Sequence, residues 1–279
     1  MAHFVLALVA LAAFLLPSPI PGPAAEVVPA LAVTRPKPVG VPGEWRLVWR
    51  DEFRGERLNL RKWRPNWLGA NDRVVTKPIN DLEVAAYDPR QVSVGNGVLR
   101  LRAAKRTVTA NDGRTYRYVS GMVESFHDFR FTHGFAEARI LLRANADRSL
   151  APVGSAGPNW PAFWLNGKNH PEDGEIDVME VLSDNDVAWH YHWARGSNGG
   201  YPSAWRGRMP GGGGWHTFGV RWNARSLTFY YDGIRVGRHA RGVTSVPHYL
   251  ILNLALSEPP YIKVPQTVRV GYVRVWKRA

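Results

Sequence analysis

The sequence predicts an all-β protein built from two packed antiparallel sheets. Short segments rich in β-branched and aromatic residues recur along the chain, each bounded by Gly, Asn, Asp or Pro. No stretch repeats its apolar residues at the helical period of about 3.6. More than ten such segments fall within about 235 residues, too many for one flat sheet, so two layers are needed to bury their apolar faces.

Taken in order, the chain opens on a leader. No charged side chain precedes Glu26, and residues 4–16 form a continuous apolar run too short to span a bilayer comfortably but suited to the core of a signal peptide. Pro23, Ala24 and Ala25 supply small residues for cleavage, so 1–25 reads as a signal peptide. A secreted, extracellular protein is expected, with no membrane attachment after cleavage. Residues 26–44, rich in Pro, Val and Ala, read as an extended linker. The folded domain is expected over 45–279, with strands at 92–102, 121–126, 135–142, 175–181, 215–222, 227–231, 249–256 and 268–276. Between two of the later strands, Asp232-Gly233 suits the positive φ angles of a two-residue hairpin turn.

Composition narrows the chemistry. With 279 residues the chain can bury a sizeable core, and with no cysteine it can build no thiolate metal site, disulfide or cysteine nucleophile. A formal charge of +13 suits an anionic partner, but the basic residues are scattered and their densest cluster, around Arg100, Arg102, Lys105 and Arg106, is short. No specific nucleic-acid partner is expected.

The most informative segment runs from Gly174 to Val181 and carries Glu175, Asp177 and Glu180 in an otherwise apolar strand. Alternation puts Glu175 and Asp177 on one face; Glu180 joins them only if one extra residue is inserted, as in a bulge at Val178-Met179. Three like charges on one face are costly for a purely structural strand, and useful where carboxyls need different proton affinities.

Ten residues upstream of Glu175 ends the segment Trp160-Pro161-Ala162-Phe163-Trp164-Leu165, and here the sequence resembles glycoside hydrolase family 16 in its laminarinase-like branch. Further matching segments are Val48-Trp49-Arg50-Asp51-Glu52-Phe53, Asn80-Asp81-Leu82-Glu83, Tyr118-Val119-Ser120-Gly121, Trp215-His216-Thr217-Phe218, Leu252-Asn253-Leu254-Ala255 and Tyr272-Val273-Arg274-Val275-Trp276. They follow in the family's order across essentially all of 45–276. The resemblance implies a jelly-roll sandwich of two curved sheets, of the concanavalin A-like lectin and glucanase type, whose concave face is a groove for a polysaccharide. It makes 45–279 a glycoside hydrolase catalytic domain with a bulged E-x-D-x-x-E strand: Glu175 as nucleophile, Asp177 as its hydrogen-bonding neighbour, Glu180 as acid/base. Long side chains leaning together across such a strand could bring the two glutamate carboxyls to ~5–5.5 Å, the separation of retaining enzymes.

Trp160 and Trp164 are candidates for sugar stacking because an aromatic face packs on the C–H face of a pyranose ring, and the same resemblance implies substrate contact for Trp160, His192, Asn80 and Glu83. Trp160 and Trp164 share a face if their segment is extended, with Phe163 turned to the core. His192 is expected beside the acid/base carboxylate, with His190 the alternative; a metal is not expected on this histidine pair, and His216 reads as structural. Many relatives bind a structural calcium through N-terminal groups and an Asp just before the last strand, where this chain has Gly271; the calcium site is in question, and no cofactor is required. Ser257-Glu258-Pro259-Pro260 replaces the family's glycine pair and alters one groove edge.

The resulting expectation is a monomeric, secreted, endo-acting β-glucan hydrolase cleaving β-1,3 or mixed-linkage β-1,3-1,4-glucan with retention. The competing functions are hydrolysis of a sulfated or other anionic galactan, transglycosylation, and noncatalytic glycan binding on the same sandwich.

Overall fold

The computed structural model describes residues 36–142, 159–169, 172–182, 186–200, 214–257 and 262–279. The expected signal peptide, most of the expected linker and Glu258-Pro259-Pro260 lie outside the described residues. In chain order the strands are β1 (Trp45–Asp51), β2 (Ala85–Tyr87), β3 (Val92–Gly95), β4 (Val98–Thr109), β5 (Thr115–Ser120), β6 (Met122–Glu124), β7 (Arg130–Phe131) and β8 (Gly134–Leu142). They continue with β9 (Asn159–Asn166), β10 (Glu175–Leu182), β11 (Asp186–Trp193), β12 (Gly196–Gly200), β13 (Gly214–Asn223), β14 (Ser226–Tyr231), β15 (Ile234–His239), β16 (His248–Leu256) and β17 (Gln266–Arg278). Among the described residues the one helical element is a 3-10 turn at Pro89–Gln91.

Two sheets result, as the sequence predicts, and the fold is a jelly-roll sandwich. One sheet runs β15-β14-β13-β8-β17-β4-β5-β2, with β1 paired to β17 and β3 to β4. The other runs β12-β11-β10-β9-β16-β6, with β7 paired to β16. The core lies between them: Leu99, Leu101, Val270 and Val273 from the first sheet meet Phe163, Leu165, Ile176 and Leu252 from the second, all fully or nearly fully buried. At about 1.5–3 kcal/mol for each large aliphatic or aromatic side chain removed from water, this layer is the main source of stability. β16 is buried along its whole length; one face joins the core, while Tyr249 and Ile251 on the other pack under Trp67 and Phe126 beside the concave surface.

Two expectations are corrected. The strand expected over 92–102 is a hairpin, because Asn96 (φ 53°) and Gly97 (φ 71°) form a tight turn between β3 and β4; Asn-Gly supplies the two positive φ angles cheaply. The expected Asp232-Gly233 turn is present, with φ of 48° and 77°. The folded region also starts before Trp45. Residues 36–43, expected to be linker, lie on the first sheet: Val41 is buried with Phe135, Tyr230 and Trp276, and the Trp276 indole donates to the Pro36 carbonyl at 2.7 Å. A proline-rich segment cannot join a ladder readily, but its carbonyls and apolar rings can still cover an aromatic patch.

Candidate active site

The acidic strand is bulged where its sequence requires it. Against β9, Asp177 faces Trp164 and Met179 faces Phe163; against β11, Asp177 faces His190 and Glu180 faces Ala188. Three residues of β10 therefore span two of β11, so one residue is extra. Val178 and Met179 both turn into the core, and burying the Met179 side chain offsets the interrupted ladder by roughly 1.5–3 kcal/mol. Alternation then resumes with Glu180 on the same face as Glu175 and Asp177, and all three line one groove.

The groove is a cavity of about 810 Å³ that crosses the second sheet. Its floor is β10 and the even-numbered positions of β9, namely Trp160, Ala162, Trp164 and Asn166. His190, His192, Trp193 and Ser197 from β11 and β12 form one end; Trp67, Ile79, Asn80, Leu82 and Glu83, from the loops between β1 and β2, form the other.

The three acids are held differently. Asp177 is buried, and one of its carboxyl oxygens makes no hydrogen bond among the described residues. Burial first, then the charges of Glu180 and Glu175, raise its proton affinity well above the usual carboxylate range. One oxygen each of Glu175 and Asp177 and a ring nitrogen of His192 lie within 4.8 Å of one another, and the same holds for Asp177, Glu180 and His190. Asp177 is thus the middle member of a carboxyl row in which a proton can be shared. Glu180 accepts from the Trp160 indole at 2.9 Å and its other oxygen lies 2.6 Å from Nδ1 of His190. Two directional contacts therefore fix the Glu180 carboxyl.

A bulged strand with three acids on the floor of a sandwich groove is distinctive enough to compare with known proteins. The family model described as glycosyl hydrolases family 16 matches residues 81–258. The chain belongs to glycosyl hydrolases family 16. Among the curated proteins that this family 16 chain resembles are glucan endo-1,3-beta-glucosidase A1 of Niallia circulans, 26% identical over 83% of this chain and 38% of the relative, and endo-1,3-1,4-beta-glycanase ExsH of Rhizobium meliloti, 28% identical over 61% and 36%. The chain spans well under half the length of these relatives. Similar solved structures include the endo-beta-1,3-glucanase of Pyrococcus furiosus, with a TM-score of 0.68, 25% identity and coverage of 86% of this chain and 98% of that one. Another is SCLam, a non-specific endo-beta-1,3(4)-glucanase, with a TM-score of 0.69, 26% identity and coverage of 88% and 95%.

The expected site residues of this family 16 chain converge on the groove, with differences in detail. Trp160 and Trp164 share its face while Phe163 enters the core. Trp164, however, is nearly buried: its ring stacks on Trp67 with centroids 5.7 Å apart, and its indole nitrogen donates to Asn253. Trp67, half-buried above it, presents the more open aromatic surface. The histidine beside Glu180 is His190, a correction to the expectation of His192, which instead lies 3.4 Å from Asp177. The cause is register: His192 is paired with Glu175, ahead of the bulge, whereas His190 is paired with Asp177 where the bulge swings Glu180 towards it. Asn80 and Glu83 are adjacent, 3.3 Å apart, at the loop end. His216 is outside the groove and contacts Asp232 at 2.6 Å, as suits a structural residue.

Sequence reasoning missed Trp67 and Asn253 as groove residues and Tyr87 as the buried residue behind Asn253. Asn253 lies in a segment that matches the family and sits on the face of β16 shared with Trp164, but no signal assigns Trp67 or Tyr87 to the groove. For calcium, Gly271 supplies no side-chain oxygen ligand. A Cβ there would sit 3.3 Å from the Trp215 ring, and the nearby Glu52 carboxylate is held in a two-pronged pair by Arg274 at 2.9 Å. Among the described residues, groups of three or more carboxylates and histidines gather closely only in the groove.

Proposed function

We propose that the protein is a secreted, endo-acting β-glucan hydrolase that cleaves β-1,3 or mixed-linkage β-1,3-1,4-glucan with retention of configuration. The observation that carries this reading is the bulge that puts Glu175, Asp177 and Glu180 on one face of a long groove. The endo-1,3- and endo-1,3-1,4-β-glucanase activities of the curated relatives and of SCLam support both the substrate class and internal cleavage. The apolar leader supports export, and a monomer suffices because one chain supplies all three acids.

In this reading Glu175 attacks the anomeric carbon while Glu180 gives its proton to the departing glycosidic oxygen, forming a glycosyl ester on Glu175. Glu180, now a carboxylate, takes a proton from the incoming water, whose oxygen attacks the same carbon and releases Glu175. Trp160 and His190 hold Glu180 in line for both transfers. Asp177 keeps a proton between the two glutamates, so the row never carries three full charges. Trp67 and Trp160 offer ring faces to the C–H faces of the sugar.

The test is reducing-sugar release from laminarin, mixed-linkage β-glucan, β-1,4-glucan and a sulfated galactan, with Glu175→Gln as the control. Oligosaccharides from the first two, lost in the control, are expected. Cleavage of the sulfated galactan alone would overturn the substrate assignment. Chain exchange without new reducing ends would make the protein a transglycosylase, and binding without cleavage a lectin.

A further inference from the structure

A chain of buried hydrogen bonds leads out of the groove floor and back into it. The Trp164 indole donates to Asn253 Oδ1 at 2.9 Å, Asn253 Nδ2 donates to the Tyr87 oxygen at 2.9 Å, and the Tyr87 hydroxyl donates to Glu83 Oε2 at 2.6 Å. At the other oxygen, Glu83 receives Asn80 Nδ2 at 3.3 Å. Tyr87 is fully buried, and Trp164, Asn253 and Glu83 nearly so. Three separate parts of the chain meet here: β9, β16 and the segment running from the loop into β2.

The direction of every bond is forced. An indole nitrogen can only donate, so Asn253 must turn its oxygen to Trp164 and its NH2 group to Tyr87. The Tyr87 oxygen, accepting from Asn253, has one proton, and it goes to Glu83 Oε2. Asn80 is fixed as well, because its own oxygen accepts from the Leu82 amide at 2.9 Å. Oε2 of Glu83 is therefore committed as an acceptor, leaving Oε1 as the oxygen that carries the proton whenever the carboxyl is neutral.

We propose that Tyr87 and Asn253 are positioning residues that lock the Glu83 carboxyl and the Trp164 ring into one rigid unit, and thereby set glycan recognition at the loop end of the groove. The proposal rests on the reading of this groove as a glycan site. Neither Tyr87 nor Asn253 is given a chemical role; both act through Glu83 and the Trp67–Trp164 stack. Burial pushes the Glu83 carboxyl up to about 7, with the nearby charge of Glu175 adding to the rise, while the hydrogen bonds from Tyr87 and the Ile79 backbone pull it down. The other ionisable groups around it are Lys77 and Asp81 of its own segment and Asp112, Arg114 and Tyr116 across the adjoining hollow. Oε1 thus presents a hydroxyl donor to a sugar below about pH 7 and a charged acceptor above it.

The experiment uses Tyr87→Phe, Asn253→Leu, Glu83→Gln and the double variant Tyr87→Phe/Glu83→Gln, with folding checked by near-UV circular dichroism. Loss of one hydrogen bond to a carboxylate is expected to raise KM for the best glucan about tenfold in Tyr87→Phe, with kcat within about twofold of wild type. Removing that donor also raises the Glu83 carboxyl, so the pH midpoint of KM and the carbon-13 NMR titration of Glu83 both move upward. In the Glu83→Gln background, whose neutral amide oxygen accepts from Tyr87 more weakly than a carboxylate, Tyr87→Phe raises KM by less than it does in the wild-type protein. If kcat falls in proportion to the rise in KM, if the Glu83 titration is unmoved, or if the effects of the two substitutions simply add, the relay is only structural and the proposal is wrong. Wild-type protein inactive on every glucan would sink the functional reading, while the NMR titration would still decide whether Tyr87 controls Glu83.

Discussion

Replacing Glu137 with Gln is expected to flatten the pH dependence of stability without touching the groove. Glu137 lies in β8 with 1% of its surface exposed; its carboxyl accepts from the Tyr272 hydroxyl at 2.8 Å and from the Val39 amide at 3.1 Å. Burial is the largest influence and raises its pKa from 4.5 to about 7, against the pull of those two hydrogen bonds and of Arg274. Between these values the folded protein keeps a proton that the unfolded chain has released, so stability falls as pH rises through this window. At ~1.4 kcal/mol per pH unit, the loss is roughly 3 kcal/mol by pH 8. Gln has no proton to lose. Its oxygen can accept from Val39, and its NH2 can donate to the Tyr272 oxygen once that hydroxyl rotates, at a cost of about 1 kcal/mol. Urea unfolding at pH 5 and pH 8 measures the difference. The variant should be equal to or slightly less stable than wild type at pH 5, and about 2 kcal/mol more stable at pH 8. Wild type and variant declining in parallel across that range would refute the reasoning, because Glu137 would then be ionised in the folded state throughout.

Other outcomes follow from the groove. Glu180→Ala should lose far more activity on glucan than on an aryl glycoside whose leaving group needs little protonation, and azide should restore part of it as a β-glycosyl azide; equal losses and no adduct would remove Glu180 from the acid/base role. Proton NMR of wild-type product should show the β-anomer first, since two displacements at one carbon restore its configuration; an early α-anomer contradicts a nucleophilic Glu175. His190→Ala should reduce kcat more than His192→Ala, because only His190 contacts Glu180. Trp67→Ala should raise KM several-fold with a smaller effect on kcat, as expected for a ring that binds sugar away from the reacting bond.

Local chemistry made much of this protein legible in its sequence. Strand and turn positions follow from residue type: Asp232-Gly233 makes a hairpin wherever two strands flank it, because the turn needs two positive φ angles and little else. The spacing of Glu175, Asp177 and Glu180 demanded a bulge, since a period-two strand cannot otherwise gather them on one face. The same turn chemistry at Asn96-Gly97 was present but masked by the β-branched residues on both sides, which read as one long strand.

Contacts between distant segments could only be decided by the tertiary structure. Whether His190 or His192 meets Glu180 depends on the pairing register of β10 and β11 across the bulge, and the two histidines share a face, so alternation cannot separate them. Trp67 becomes a groove wall only because its loop folds back over β9, and Tyr87 becomes a link to Glu83 only because Asn253, far along the chain, arrives beside it with its amide already oriented by Trp164. Residues 36–43 cover the first sheet for the same kind of reason: Trp276 and Phe135 need an apolar lid. A sequence states which side chains can face the same way; long-range packing chooses which of them touch, because burial and hydrogen-bond satisfaction are settled jointly by segments that carry no local record of one another.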